Sequence, residues 1–115
     1  MRNTSSKVRC IKQNFSKCGG VCRTYSPIQY AYADRLEHDE TVREFKCNLE
    51  LTDFSIDGKY TTDFFIVRTN GEIAIRECVR RDYITRPLHL KLLDASLCYW
   101  IERGVQDWGI VINEK

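Results

Sequence analysis

The chain predicts a mixed α/β (α+β) domain: a mixed sheet flanked by helices, with elements in the order α-β-β-β-α-β. Three observations carry this expectation. Two segments, near residues 26–39 and 87–103, have apolar residues at helical spacing bounded by start and stop signals. Between them lie one cleanly alternating run, 43–51, and two apolar runs joined by a tight turn, 61–79. A short, nearly all-apolar run, 107–113, closes the order. At 115 residues the chain supports one domain with a single modest core.

In "SPIQYAYADRLEHD", Ser26 suits an N-cap, Pro27 the first helical position, and Gln29 completes an S-x-x-Q capping box. Ile28, Tyr32 and Leu36 recur every four residues, with Ala33 beside them, predicting a buried stripe. In "REFKCNLEL", Phe45, Cys47, Leu49 and Leu51 alternate with polar residues, as in a half-buried strand. "DFSIDGKY" supplies a turn at Asp57-Gly58. Two strands follow around Thr69-Asn70-Gly71. After an irregular stretch, Pro87 opens a second helix and Gly104 suits the residue beyond its end. Leu90, Leu93, Leu97, Trp100 and Ile101 predict its apolar face. "DWGIVIN" reads as a strand buried on both faces.

No apolar run approaches the roughly 18 residues needed to span a bilayer. The N-terminal stretch lacks the apolar segment of a secretory signal. The expectation is a cytoplasmic protein with no membrane partner. Charge is uneven: residues 1–25 hold six basic side chains (Arg2, Lys7, Arg9, Lys12, Lys17, Arg23) and no acidic one. The other 12 basic residues face all 16 acidic ones. A basic arm, 1–25, ahead of a mildly acidic domain, 26–115, is a pattern of nucleic-acid contact as well as of a solvated tail. Lys7, Arg9, Lys12, Lys17 and Arg23 are the candidate contacts to DNA.

Six cysteines are many for this length. Without a secretory signal, reduced thiols are expected rather than a disulfide framework. Cys47, Cys78 and Cys98 read as small core or near-core residues. Cys10, Cys18 and Cys22 are spaced C-x7-C-x3-C with no fourth ligand nearby, which argues against zinc, whose sites show tighter pairs.

The apolar hairpin carries two acids, Asp63 and Glu77, and its register decides whether they meet. A two-residue turn at Asn70-Gly71 would set Asp63 opposite Cys78. A three-residue turn, with Gly71 left-handed, sets Val67 against Ile73, Phe65 against Ile75 and Asp63 against Glu77. The second register matches apolar with apolar and is preferred. The carboxylates would then project from positions about 5 Å apart. Such a pair raises its own pKa values unless a cation sits between, and hard oxygen ligands suit Mg2+ or Mn2+. The alternative is a solvated acid, or one paired with Arg76, Arg80 or Arg81.

The ordered set "SPIQYAYADRLEHDETVREF", "YTTDFFI", "AIRECV", "RPLHLKLLDASLCYWIERG" and "WGIVI" resembles the PD-(D/E)xK, restriction-endonuclease-like nuclease superfamily. More narrowly it looks like the N-terminal domain of TnsA-type transposon-end endonucleases and small phage relatives. The likeness spans roughly residues 22–113. It implies a catalytic constellation of a helix Glu, a strand Asp, a strand Glu or Gln, and a Lys. Those positions hold Gln29, Asp63, Glu77 and Val79 here, with Asp63, Glu77 and the Cys78 carbonyl as the implied Mg2+ ligands. Two of the four have departed. The family Lys positions the attacking water and stabilises charge growing on the phosphate, which valine cannot do. Gln29 is neutral, and its capping role explains it without a metal. Lys59, Arg76, Arg80 and Glu37 lie on the wrong face or too far along their elements to substitute. The resemblance thus implies a catalytically degenerate nuclease fold serving a mobile element or phage as a DNA-binding or regulatory module. Its protein partner would be a transposase, phage or host-defence component. The alternative is an active Mg2+-dependent DNA endonuclease.

Overall fold

The computed structural model describes residues 10–51 and 60–112. The elements are β1 (Ile11–Phe15), β2 (Gly20–Thr24), α1 (Pro27–Glu37), β3 (Val42–Glu50), β4 (Thr61–Arg68), β5 (Ile73–Val79), α2 (Pro87–Glu102) and β6 (Asp107–Ile112). One-turn 3-10 helices occupy Ser16–Cys18 and Arg81–Tyr83. From α1 onward the order is α-β-β-β-α-β, in the expected mixed α/β class. Strands β3-β4-β5-β6 form one sheet, antiparallel except for the parallel β5–β6 pair. A parallel neighbour needs a long crossover, and α2 provides it. The Asp57-Gly58 turn lies outside the described residues.

The central hairpin adopts the three-residue turn. Val67 pairs with Ile73 and Phe65 with Ile75. The Arg68 amide donates to the Glu72 carbonyl at 2.8 Å, and the Gly71 amide to the Arg68 carbonyl at 2.9 Å. Gly71 has φ +90°, a left-handed conformation that favours glycine.

Apolar residues on the two sheet faces build two clusters. Ala33 and Leu36 of α1 pack with Phe45, Phe64, Ile66 and Ala74. Trp100 of α2 packs with Ile75 and Val105, flanked by Phe65 and Trp108. Asp107 pins the start of β6, pairing with Arg76 at 2.8 Å and Arg68 at 3.4 Å.

Four expectations are corrected. The basic segment 1–25 is, over its described part, a β-hairpin built into the domain. Phe15 and Cys22 enter the α1-side cluster. The Glu37 carboxylate accepts from the Ser16 hydroxyl at 2.8 Å and the Lys17 amide at 3.1 Å. Two strands alone are marginal in water, so such anchoring is needed for them to form. Secondly, α2 turns inward through Leu93, Ser96 and Trp100, leaving Leu90, Cys98 and Ile101 exposed. Leu90 and Ile101 sit about 100–120° round the helix from the face centred on Ser96 and Trp100. Thirdly, α1 buries Gln29, Ala33 and Leu36, with Ile28 and Tyr32 half-buried. Lastly, β6 is half-buried, because it is an edge strand with one neighbour.

Candidate functional site

Regular pairing of β4 with β5 runs out at Phe64 and Arg76. One step further, where Asp63 and Glu77 stand opposite, side chains replace the ladder. The Asp63 carboxylate accepts the Cys78 amide at 2.7 Å. The Glu77 carboxylate accepts the Asp63 amide at 2.9 Å. Two acids thus hold the strands together where backbone bonds stop, and satisfying these amides offsets part of their desolvation.

The acids have different neighbours. Asp63 is half-buried and faces Gln29 of α1, whose amide nitrogen is 3.5 Å away. Glu77 is 1 % exposed and lies beneath α2. Its carboxylate accepts from the hydroxyls of Thr62 and Ser96, the latter at 2.6 Å, and from the Tyr60 hydroxyl. Thr62 and Ser96 in turn accept indole N–H groups from Trp100 and Trp108, each at 3.1 Å. One lone pair of each hydroxyl is thus engaged, while both hydroxyl protons point at Glu77. A carboxylate offers about four acceptor positions, and four protein donors take them. Burial nevertheless pushes the Glu77 pKa up, against the hydrogen bonds that lower it. Burial also raises the Tyr60 and Cys78 pKa values, with the charges of the two acids adding to it.

Gln29 plays the capping part its position predicts. Its amide donates to the Ser26 hydroxyl at 3.1 Å, while its side-chain carbonyl accepts from Tyr25 rather than Ser26, at 2.9 Å. Its NH2 reaches Asn48 at 2.9 Å. Asn48 sits at φ +57°, a conformation Asn tolerates, and donates to the Arg23 carbonyl at 2.7 Å. This bracing reaches from the hairpin to the acid pair through three elements.

Gln29, Asp63, Glu77 and Val79, the four positions grouped by resemblance, all line one cleft of about 560 Å3, together with Cys78. Arg80, Tyr83 and His89 line its other side. There Arg80 and Arg86 stack on Tyr83, guanidinium carbons 4.4 and 3.9 Å from the ring centroid, with His89 against the same ring. Sequence reasoning missed this cation–aromatic group; the signal was the spacing of Arg80, Tyr83, Arg86 and His89, which one helical turn and the start of α2 fold together. It also missed Ser96 and Thr62, small polar residues in apolar surroundings.

Of the candidate DNA contacts, Lys7 and Arg9 lie outside the described residues. Lys12 and Arg23 are exposed cross-strand partners on the β1–β2 hairpin. Lys17 Nζ donates to the Asp39 carbonyl at 2.7 Å. None of these three lines the cleft. Arg76 is engaged by Asp107, and Glu37 holds the hairpin, so neither stands in for the missing groups. Lys59 lies outside the described residues. Cys18 and Cys22 meet Cys47 instead of the exposed Cys10, all three Sγ atoms lying within 4.8 Å of one another. No helix of the described residues is long and apolar enough to cross a membrane. No protein-family model matches the chain, and no curated protein matches it.

Proposed function

We propose that the protein binds DNA through this cleft without cutting it, as a degenerate nuclease-like module of a mobile element or phage. The observation that carries the reading is Glu77. A cation ligand needs a free oxygen lone pair, and four protein donors occupy those of Glu77. Val79, apolar and 8 % exposed, offers no proton or charge beside it. What the cleft does present is Arg80 and Tyr83 on its lining, with Arg80 paired to Asp82 at 2.9 Å and Arg86 stacked on the same ring just outside, a group suited to exposed bases and to phosphate.

Duplex and single-stranded DNA titrated by fluorescence anisotropy at several salt concentrations test this. Affinity should fall steeply with salt, and Arg80→Ala with Arg86→Ala should weaken binding and cut the slope by about 2. No binding, or binding indifferent to salt and to both arginines, would remove DNA as the partner and leave a protein target.

The convergence of Asp63, Glu77 and Gln29 favours a second reading, a metal-dependent endonuclease. In that case the protein with Mn2+ nicks plasmid DNA and Asp63→Ala abolishes the activity. If the wild type is inert and Gln29→Glu with Val79→Lys gains nicking, the scaffold is an eroded nuclease.

A further inference from the structure

The β1–β2 hairpin carries Cys18 in its connecting turn and Cys22 in β2, while Cys47 comes from β3, an edge of the main sheet. Their three Sγ atoms lie within 4.8 Å of one another, and those of Cys18 and Cys47 are 3.8 Å apart. Two thiolates on one tetrahedral zinc, each bonded at about 2.3 Å, are about 3.8 Å apart. One edge of such a centre is already at its proper length, and the others need at most about 1 Å of closure. Cys22 is fully buried. Cys18 and Cys47 line an open groove of about 420 Å3, so an ion has a route from solvent to the sulfurs.

We propose that Cys18, Cys22 and Cys47 form a three-thiolate site for Zn2+, with its fourth position facing the groove, clasping the basic hairpin to the sheet. An all-sulfur donor set selects soft or borderline ions and rejects Mg2+ and Mn2+. Three thiolates with one Zn2+ carry a net charge of −1, and Arg23, Lys46 and Glu50 line the same groove with a net charge of +1. Binding converts three thiols to thiolates and releases their protons to solvent, with no change of oxidation state.

A disulfide would join two of these sulfurs and strand the third beside it, whereas a metal engages all three. The site also meets a structural need. The hairpin is a separate two-stranded sheet, and a bond to β3 through a metal would hold it at a further point besides the Glu37 contacts. Sequence spacing concealed the site because its third ligand lies 25 residues past Cys22, on another element.

The test is titration of the reduced, metal-free full chain with Co2+ and then Zn2+. Co2+ should give a thiolate charge-transfer band and the strong visible bands of a tetrahedral centre, displaced by one Zn2+ per chain. Cys18→Ser and Cys47→Ser should each weaken Zn2+ binding by more than about 100-fold, beyond what loss of a ligand's own hydrogen-bond partner costs. Cys10→Ser, Cys98→Ser and Asp63→Ala should bind as the wild type does, the last separating this site from the acid pair. Should a cluster variant fail to fold, alkylation of wild-type protein decides instead: Zn2+ should shield Cys18 and Cys47, the two thiols on the groove, as mapped by mass spectrometry. The proposal is overturned by absence of the charge-transfer band, by an undiminished band in Cys47→Ser, or by shielding of a different set. A disulfide between two of the three in protein isolated without air would overturn it too.

Discussion

Glu77→Gln probes the network beneath α2 most directly. Glutamine keeps the shape but replaces one acceptor oxygen with an NH2 donor. Turned one way, that NH2 meets the Asp63 amide, which cannot reorient because it is backbone. Turned the other way, it meets the hydroxyls of Thr62 and Ser96, which then lose Glu77 as the acceptor for their own protons. Either choice strands one or two buried donors, a cost of about 1–3 kcal/mol. For a domain of this size that lowers the melting temperature by roughly 4–12 °C. The pH dependence gives a sharper test. Burial raises the folded-state pKa of Glu77 above its ordinary 4.5. Its contribution to stability is therefore complete below pH 4.5 and is lost as pH rises through the folded-state value. Glutamine does not titrate. The wild-type advantage over Glu77→Gln should be greatest at acid pH and shrink toward neutrality, followed by urea unfolding monitored through Trp100 and Trp108 fluorescence. An advantage that grows with pH over that window would show that the site stabilises the anion, refuting the account of burial as the dominant effect.

Two further outcomes follow from local geometry. Gly71→Ala should destabilise by about 1–2 kcal/mol in thermal unfolding, since φ +90° strains any Cβ although nothing lies within 4 Å of one placed there; Gly71→Asn should cost less. Despite some desolvation, hydrogen bonds from the Ser16 hydroxyl and the Ser16 and Lys17 amides hold the Glu37 carboxyl below its usual range. That support is present above pH 4.5 and lost as pH falls through the depressed value, so the protection of hairpin amides against deuterium exchange, taken relative to the intrinsic rate at each pH, should fall at acid pH, and Glu37→Gln should remove that change in protection.

Much of the fold was legible because periodicity and turn chemistry are local. Ser26 and Pro27 start α1, and Gly71 with matched apolar pairs sets the hairpin register, with no knowledge of distant residues. Gln29, Asp63, Glu77 and Val79, which the nuclease resemblance groups, line one cleft. Their bonding was not. Ser96 reads as a flaw in an apolar helix until Glu77 is placed beneath it. The inward face of α2 shifts toward that serine, which is why Leu90 and Ile101 end exposed. Cys98 likewise lies outside the core that its apolar helix suggested.

By itself, the sequence determined the α-β-β-β-α-β order, the three-residue turn and the opposition of Asp63 to Glu77, because each depends on neighbours a few residues apart or directly across a hairpin. Tertiary structure alone decided that the basic N-terminal segment is partly a hairpin anchored by Phe15, Cys22 and Glu37. It alone surrounded Glu77 with four donors and brought Cys47 to Cys18 and Cys22. These contacts join residues whose sequence separation carries no signal, and packing is what sets their distances.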